Sequence, residues 1–391
     1  MEEASSSQLI EKIDPDPPRP PKPKTVYFAS EGDTHLFLSS PNSLDNEPRI
    51  VIFVVSSHAM APVCDAWAHM VMRHVDRCKL EAETVENVGS AADGAVAFVP
   101  LPNDDPDGLE VLLNIAHLRF DRVPEKLKFK RLLAVAVLME KYGVTQMVRP
   151  WWQRWLAAVK DKANVPGYEE LLYIAWAFGE EKMLKSGVDH LIRSVRLDEE
   201  ERLVTPKGVI LDFSNENKHF PPYIEEVVRK GRSAAVDLLL KRCYKLVDKF
   251  FESRAKGGYC CQDTSDEEER DDEHCDSIIL GSLLLSLQDF ELGPERKTCK
   301  NISWSVDKLI ATLQTLEVVT IHGQTCDGGC DSFRKFVDKF SKAGYKRMAP
   351  DSDSPWKAHM DRKKIELTGR LELPNEISLE NGLKRKRESE G

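Results

Sequence analysis

Between Pro100 and Leu156 the chain strings three helical patterns together with almost no slack, and this run limits the fold more than any other stretch. Asp104, Asp105 and Pro106 supply a cap, an acidic first turn and an early proline. Leu109, Leu112, Leu113 and Ala116 then follow the i, i+3, i+4, i+7 rule and give that helix one apolar face. Leu132, Val135, Ala136 and Met139 repeat the pattern until Gly143 stops it. A third segment starts at Thr145, with Val148, Trp151, Trp152 and Trp155 at helical spacing and Pro150 set to kink or restart it. The run reads as an interaction module, not a catalytic site. Asp104 and Asp105 stand where a helix N-terminus needs negative charge, so they are read as a cap and not as an acid–base pair.

With GDTHLFL (Gly32 to Leu38), VVSSHAMAPVCDAW (Val54 to Trp67), VAFVPLPNDDP and LMEKYGV in this order, Thr25 to Leu156 resembles the BTB/POZ domain, in the divergent version common in filamentous fungi. The resemblance implies the family's first strand at Gly32 to Leu38, a strand, a polar turn and a short helix over Val54 to Trp67, with Ser57, Met60, Val63 and Trp67 in that strand-to-helix hairpin, VAFVPLPNDDP in the strand before the long helix, and LMEKYGV in the buried helical pair. It departs from the family in two places. Ala68 to Gly94 lacks the usual phenylalanine and glutamate–glycine pair, and Pro41 to Pro48 lengthens the first hairpin. The implied fold is a mainly helical α/β protein: a BTB/POZ-like unit with a short sheet against a helical cluster, then a helical C-terminal region.

The remaining boundaries follow composition. Residues 1–24, with PDPPRPPKPK from Pro15 to Lys24, read as a disordered, proline-rich arm in extended polyproline II geometry. Residues 25–160 form the BTB/POZ-like domain. Residues 161–256 carry two short amphipathic helices separated at Gly179 and one long helix, similar to the helical extension of BACK-type proteins. Residues 257–276 hold DTSDEEERDDEH, too charged to fold alone, and serve as an acidic linker. Residues 277–345 form a small helical unit with cysteine and histidine, and 346–391 a disordered tail. No apolar run reaches the ~20 residues of a membrane helix, and MEEASSSQLIEK is no secretory signal, so the expected location is the nucleus or cytoplasm, without membrane partners.

Six of the nine cysteines lie between Tyr259 and Asp331, and HGQTCDGGC gives His322, Cys326 and Cys330 an H-x3-C-x3-C spacing. A structural zinc needs four thiolate or imidazole ligands, and a glycine-rich turn lets two cysteines face one ion. The fourth ligand would be Cys299, ahead of Cys275 or Cys261. The competing reading is a loop histidine among half-buried thiols. No cofactor is otherwise expected.

The tryptophans at 151, 152, 155 and 176 are read as core packing. His58, His69, His74 and His117 accompany no nucleophile elbow, and no phosphate-binding glycine loop is present, so no catalytic or cofactor-binding residue is assigned. A net charge of −10 disfavours nucleic acid along most of the chain, with LKRKRE as the sole basic run. The leading reading is a non-catalytic adaptor that binds other proteins. The BTB/POZ resemblance implies self-association or docking to a cullin-type ubiquitin ligase, although proline-rich sequence stands where dimeric members exchange a segment, and no hydrophobic-x-acidic cullin motif is found. Two alternatives stay open: a nuclear regulator contacting nucleic acid through a zinc-stabilised C-terminal unit and Lys384 to Arg387, and an enzyme of unrecognised type. Ser265, followed by Asp266 to Glu269, has the context of an acid-directed phosphorylation site.

Overall fold

A computed structural model describes residues 23–40, 49–72, 97–214, 218–258, 272–319 and 355–369. The protein is mainly helical with a small mixed sheet. It divides into two compact units, Met1–Val123 and Pro124–Gly391, and the division falls inside the stretch 25–160 that the sequence suggests is one domain.

The N-terminal unit carries a four-stranded sheet of β1 (Lys24–Tyr27), β2 (Thr34–Ser40), β3 (Arg49–Val55) and β4 (Ala97–Leu101), in the order β1-β3-β2-β4. β2 and β3 form an antiparallel hairpin, while β1 runs parallel to β3 and β4 parallel to β2. The central strands largely alternate, with Val54 of β3 buried as an exception. Leu36, Leu38, Val51, Phe53, Val55, Val99 and Leu101 are buried on one face, while Phe37, Ile52, Phe98 and Pro100 point to the other. After β3 comes α1 (Ser57–Met60), residues 65–72 are helical, and α2 (Pro106–Ala116) follows β4.

α2 begins as its sequence suggests: the Asp105 carboxylate accepts a hydrogen bond from the Gly108 amide at 2.9 Å, and Pro106 occupies the first turn, where its missing N–H costs nothing. Burial, however, is wider than the expected single face. Val111 and Ile115 are covered as well as Leu109, Leu112 and Leu113, so α2 is enclosed from several sides.

The C-terminal unit comprises α3 (Phe129–Tyr142), α4 (Trp152–Ala157), α5 (Leu171–Ala177), α6 (Glu181–Ser194), the small antiparallel pair β5 (Arg196–Leu197) and β6 (Leu203–Val204), α7 (Ile224–Ala255), α8 (Asp272–Asp289), α9 (Val306–Gln314) and α10 (Lys357–Thr368). Leu132, Val135, Ala136 and Met139 of α3 are buried, and Gly143 ends the helix in the left-handed region. A 3-10 turn at Thr145–Val148 and the restart at Trp152 bracket Pro150. Trp155 is fully buried, and its indole N–H donates to the Pro124 carbonyl at 2.8 Å, which satisfies its one polar atom.

α7 serves three apolar clusters in succession. Ile224 and Val228 join Leu184, Val188 and Leu191 of α6; Val236, Leu239, Cys243 and Val247 join Leu283 and Leu287 of α8 and Leu309 and Leu313 of α9; Phe250 meets Cys275 and Ile279. Polar side chains along α7 hold the α8–α9 connection. Arg232 donates Nη2 to the Ile302 and Trp304 carbonyls at 2.7 and 2.6 Å, and the Tyr244 hydroxyl donates to Leu292 O and accepts from the Lys297 amide.

One stretch differs from expectation. Residues 346–391 read as a tail, yet α10 lies within them, with Trp356, Met360 and Leu367 buried. Its seam is interrupted by a lysine, which hides the apolar period from sequence inspection. The proline-rich arm up to residue 22, Ser265 with its acidic neighbours, the segment SFRKFVDKFSKAGY and the basic run Lys384 to Arg387 lie outside the described residues.

Candidate protein-interaction site

Among the described residues, the outer face of the N-terminal sheet is largely apolar and partly exposed, although Val54 on it is buried. Strand alternation puts Thr25 and Tyr27 of β1, Ile50 and Ile52 of β3, His35 and Phe37 of β2, and Phe98 and Pro100 of β4 on this side. Tyr27 is 61% exposed, Phe98 55% and Ile50 41%. At the β4 edge, the Phe98 ring lies 5.6 Å from Phe37 and 5.5 Å, edge-on, from His35. Aromatics clustered in the open across adjacent strands are what a protein contact surface offers, since scattered single apolar residues need no explanation but a contiguous group does.

Each sheet edge carries one feature that hinders an incoming strand: at β1, Arg119 donates Nη1 to the Tyr27 carbonyl, and at β4, Pro100 has no amide to offer.

Beside this face, Asp33, Ser57 and His58 come together in a way that resembles a hydrolytic triad by composition alone. The Ser57 amide and hydroxyl both donate to the Asp33 carboxylate, at 2.7 and 2.5 Å. Burial alone would raise the Asp33 pKa, but hydrogen bonds from Ser57 and Thr34 outweigh it and hold the carboxyl below its ordinary value. Ser57 is 2% exposed, and the His58 ring, 87% exposed, stands 3.4 Å from its hydroxyl. The serine proton is thus directed to a carboxylate and not to a base, and the trio fastens the β3–α1 turn. His117 completes the fastening: Nδ1 lies 2.9 Å from the Leu113 carbonyl and Nε2 accepts from the Ser56 amide at 3.0 Å, which assigns the neutral ring with Nδ1 protonated. Burial, foremost, depresses its pKa in agreement with that tautomer.

Of the proposed zinc ligands, His322, Cys326 and Cys330 lie outside the described residues, as does Cys261. Cys299 is half-buried in the 3-10 turn Cys299–Asn301, where its amide donates to Asp237 at 2.7 Å. Burial and the Asp237 carboxylate push its thiol pKa up, which disfavours the thiolate. Cys275 sits in the apolar cluster with Phe250 and Ile279. Among the described residues no three histidine, cysteine or acidic side chains converge to hold an ion.

A charged cluster that the sequence reading did not single out lies where α10 docks. Lys363, 4% exposed, places Nζ 2.5 Å from Glu140 Oε1 on α3, 2.7 Å from Thr145 Oγ1 and 3.3 Å from Glu366 Oε2. Burial, only partly countered by Lys363, pushes the Glu140 pKa up. The His359 ring stacks on Trp176 with centroids 3.9 Å apart and planes 3° from parallel. Burial and then the charges of Lys363 and Arg362 hold its pKa down to about 4, so the ring is neutral near pH 7 and its 3.9 Å approach to Glu140 is no ion pair.

No helix among the described residues is long and apolar enough to cross a membrane. No family model, curated protein or solved structure matches this chain.

Proposed function

We propose that the protein is a non-catalytic adaptor of the BTB/POZ type, which joins other proteins through the outer face of its N-terminal sheet. The observation that carries this reading is the group of exposed apolar side chains Tyr27, Ile50 and Phe98, with the partly buried Phe37 beside Phe98, on one face of the sheet. The order of strand hairpin, short helix, parallel strand and capped helix also accords with the resemblance of Thr25 to Leu156 to that family. The partner is a protein with a complementary apolar patch; self-association and a cullin-type ligase are the two partners the resemblance suggests. The nucleus or cytoplasm is the proposed setting.

The test is quantitative affinity purification of the full chain from its native cells, with Phe98→Asp and Tyr27→Asp alongside wild type. Both side chains are more than half exposed, so the fold should survive, with a loss of about 1 kcal/mol at Phe98 from its ring contacts with Phe37 and His35. The same partners should be recovered with wild type and lost with both variants. Partner recovery that is unchanged in the variants would discard the sheet face as the site.

A further inference from the structure

The fold gathers cations of the C-terminal unit that form no run in the sequence. Between Pro124 and Tyr168 nine lysines and arginines stand against three acids, in a chain of net charge −10. Alternation starts the patch. In the segment KLKFK, Leu127 and Phe129 are buried, which leaves Lys126, Lys128 and Lys130 in solvent. Tertiary contacts bring further cations beside them. The Trp155 indole bond to the Pro124 carbonyl, with Arg154 Nη1 3.8 Å from Glu125 Oε1, lays this segment along α4. The Phe129 ring meets Tyr168 edge-on at 5.0 Å, and Lys162 Nζ lies 4.9 Å from the centre of the same Tyr168 ring, which draws in the 3-10 turn Lys160–Lys162. Lys207, 41 residues beyond its acceptor, donates to the Pro166 carbonyl at 2.7 Å.

This charge is poorly compensated. Lys126, Lys128, Lys130 and Lys160 enter no ion pair among the described residues. The acids on the same surface are Glu125, which faces Arg154, Asp161, and Glu169, whose Oε1 accepts from the Gly167 amide. The start of α3 adds to the crowding. Lys128 is its N-cap, Lys130 lies in its first turn, and no acid stands in that turn. Cations therefore occupy the positive end of a helix dipole, where folding alone favours carboxylates.

Composition selects the class of partner. Lysine is depleted from protein–protein contacts, whose centres are apolar and aromatic, whereas surfaces that hold nucleic acid are polar and strongly positive. Between residues 124 and 169, Val165 is the only large hydrophobic side chain that stands exposed. We propose that this surface is a phosphate-contact face for nucleic acid, with Lys126, Lys128, Lys130 and Lys160 as its principal cations. An ammonium on a flexible stem is a point charge and offers base edges no planar fork, so the face binds the backbone and is indifferent to sequence. It belongs to the C-terminal unit alone and stands or falls separately from the sheet face.

The test is fluorescence anisotropy of a labelled DNA duplex of about 20 base pairs, titrated with the full chain at several salt concentrations. At about 50 mM salt, binding should be saturable with a micromolar Kd, and the logarithm of the binding constant should fall against that of salt with a slope of about −3.6, four phosphates at about 0.9 each. Lys126→Gln with Lys128→Gln and Lys130→Gln should weaken binding at least ~10-fold and flatten the slope by about 2.7. Lys160→Gln, on a separate element, should flatten it by about 0.9 on its own. A control with Lys182→Gln, Lys241→Gln and Lys245→Gln removes the same charge from exposed positions of α6 and α7, and should stay within about threefold of wild type. Absence of binding at the lowest salt, or equal losses in the two triple variants, would overturn the proposal. Equally tight binding of a labelled poly-glutamate of matched charge would also overturn it, and would make the face a site for acidic protein segments.

Discussion

Replacing Lys363 by methionine keeps most of the side-chain volume but leaves the Glu140 carboxylate buried without its cation. At 2.5 Å the gross attraction is large, about 6.6 kcal/mol even at an effective dielectric of 20. Removing one member of a buried pair usually costs about 3–5 kcal/mol. Glu140 has an escape, because it can take up a proton. From its ordinary value of 4.5, protonation at pH 7 costs about 3.4 kcal/mol, which caps the charge penalty. At pH 5 the same step costs only about 0.7 kcal/mol.

Lys363→Met should therefore loosen α10 by about 3 kcal/mol at pH 7, read as a roughly hundredfold drop in hydrogen-exchange protection of residues 357–368. At pH 5 the drop should shrink to a few-fold. The double variant Glu140→Gln with Lys363→Met, with no charge left to strand, should recover most of the lost protection. A pH 7 loss below about fivefold, or a double variant no better protected than Lys363→Met alone, would refute the idea that the ion pair governs docking.

His359 should give α10 an acid-labile component. Its folded pKa of about 4 lies below the unfolded 6.5, so its contribution is present above pH 6.5 and is lost as pH falls toward 4. Glu140, with its pKa raised, acts in the opposite sense, and its contribution is fully present only at low pH. The ratio of wild-type to His359→Phe protection in α10 should therefore fall steadily from pH 6.5 to 4.5; a constant ratio would show that His359 does not titrate in place. Leu112→Asp puts an unpaired carboxylate at a fully buried position of α2, and denaturant melts of the N-terminal unit should show a loss of roughly 3 kcal/mol or more. Tyr244→Phe removes one oxygen that both donates to Leu292 O and accepts from the Lys297 amide, so chemical denaturation should record a loss of about 2 kcal/mol, one for each bond. Elemental analysis of reduced protein should find about one zinc per chain, abolished by Cys326→Ser with Cys330→Ser; metal-free wild type with an unchanged C-terminal unit would favour plain thiols.

Long periodic helices were legible in the sequence because their apolar spacing is set by local geometry. Leu132 to Met139, the Gly179 break and the helix after Tyr223 all fall where the pattern places them. The Asp105 cap was legible for the same reason: its partner is three residues away. β1 and the β5–β6 pair were not, since four- and two-residue strands carry too little pattern to rise above their surroundings. α10 escaped because its seam contains Lys363, which looks like a solvent residue until Thr145, 218 positions earlier, and Glu140 come alongside it. The candidate surface was not legible: the apolar run LFL in THLFLSS marks no polar face, and which side stays exposed depends on what the rest of the chain covers.

α7 runs for 32 residues, about 48 Å, without a proline or a break between its first turn and its last. Its successive turns are rooted in three different apolar clusters, so each cluster is clamped to the same rigid rod. To slide or tilt one relative to the next, backbone hydrogen bonds in the rod would have to open. The clusters therefore share one melting event, and a strain applied at the α6 end is felt at the α8 end without a chain of intervening side-chain adjustments. In mechanical terms, α7 is an axle, and the cooperativity of the helical unit is a property of its length.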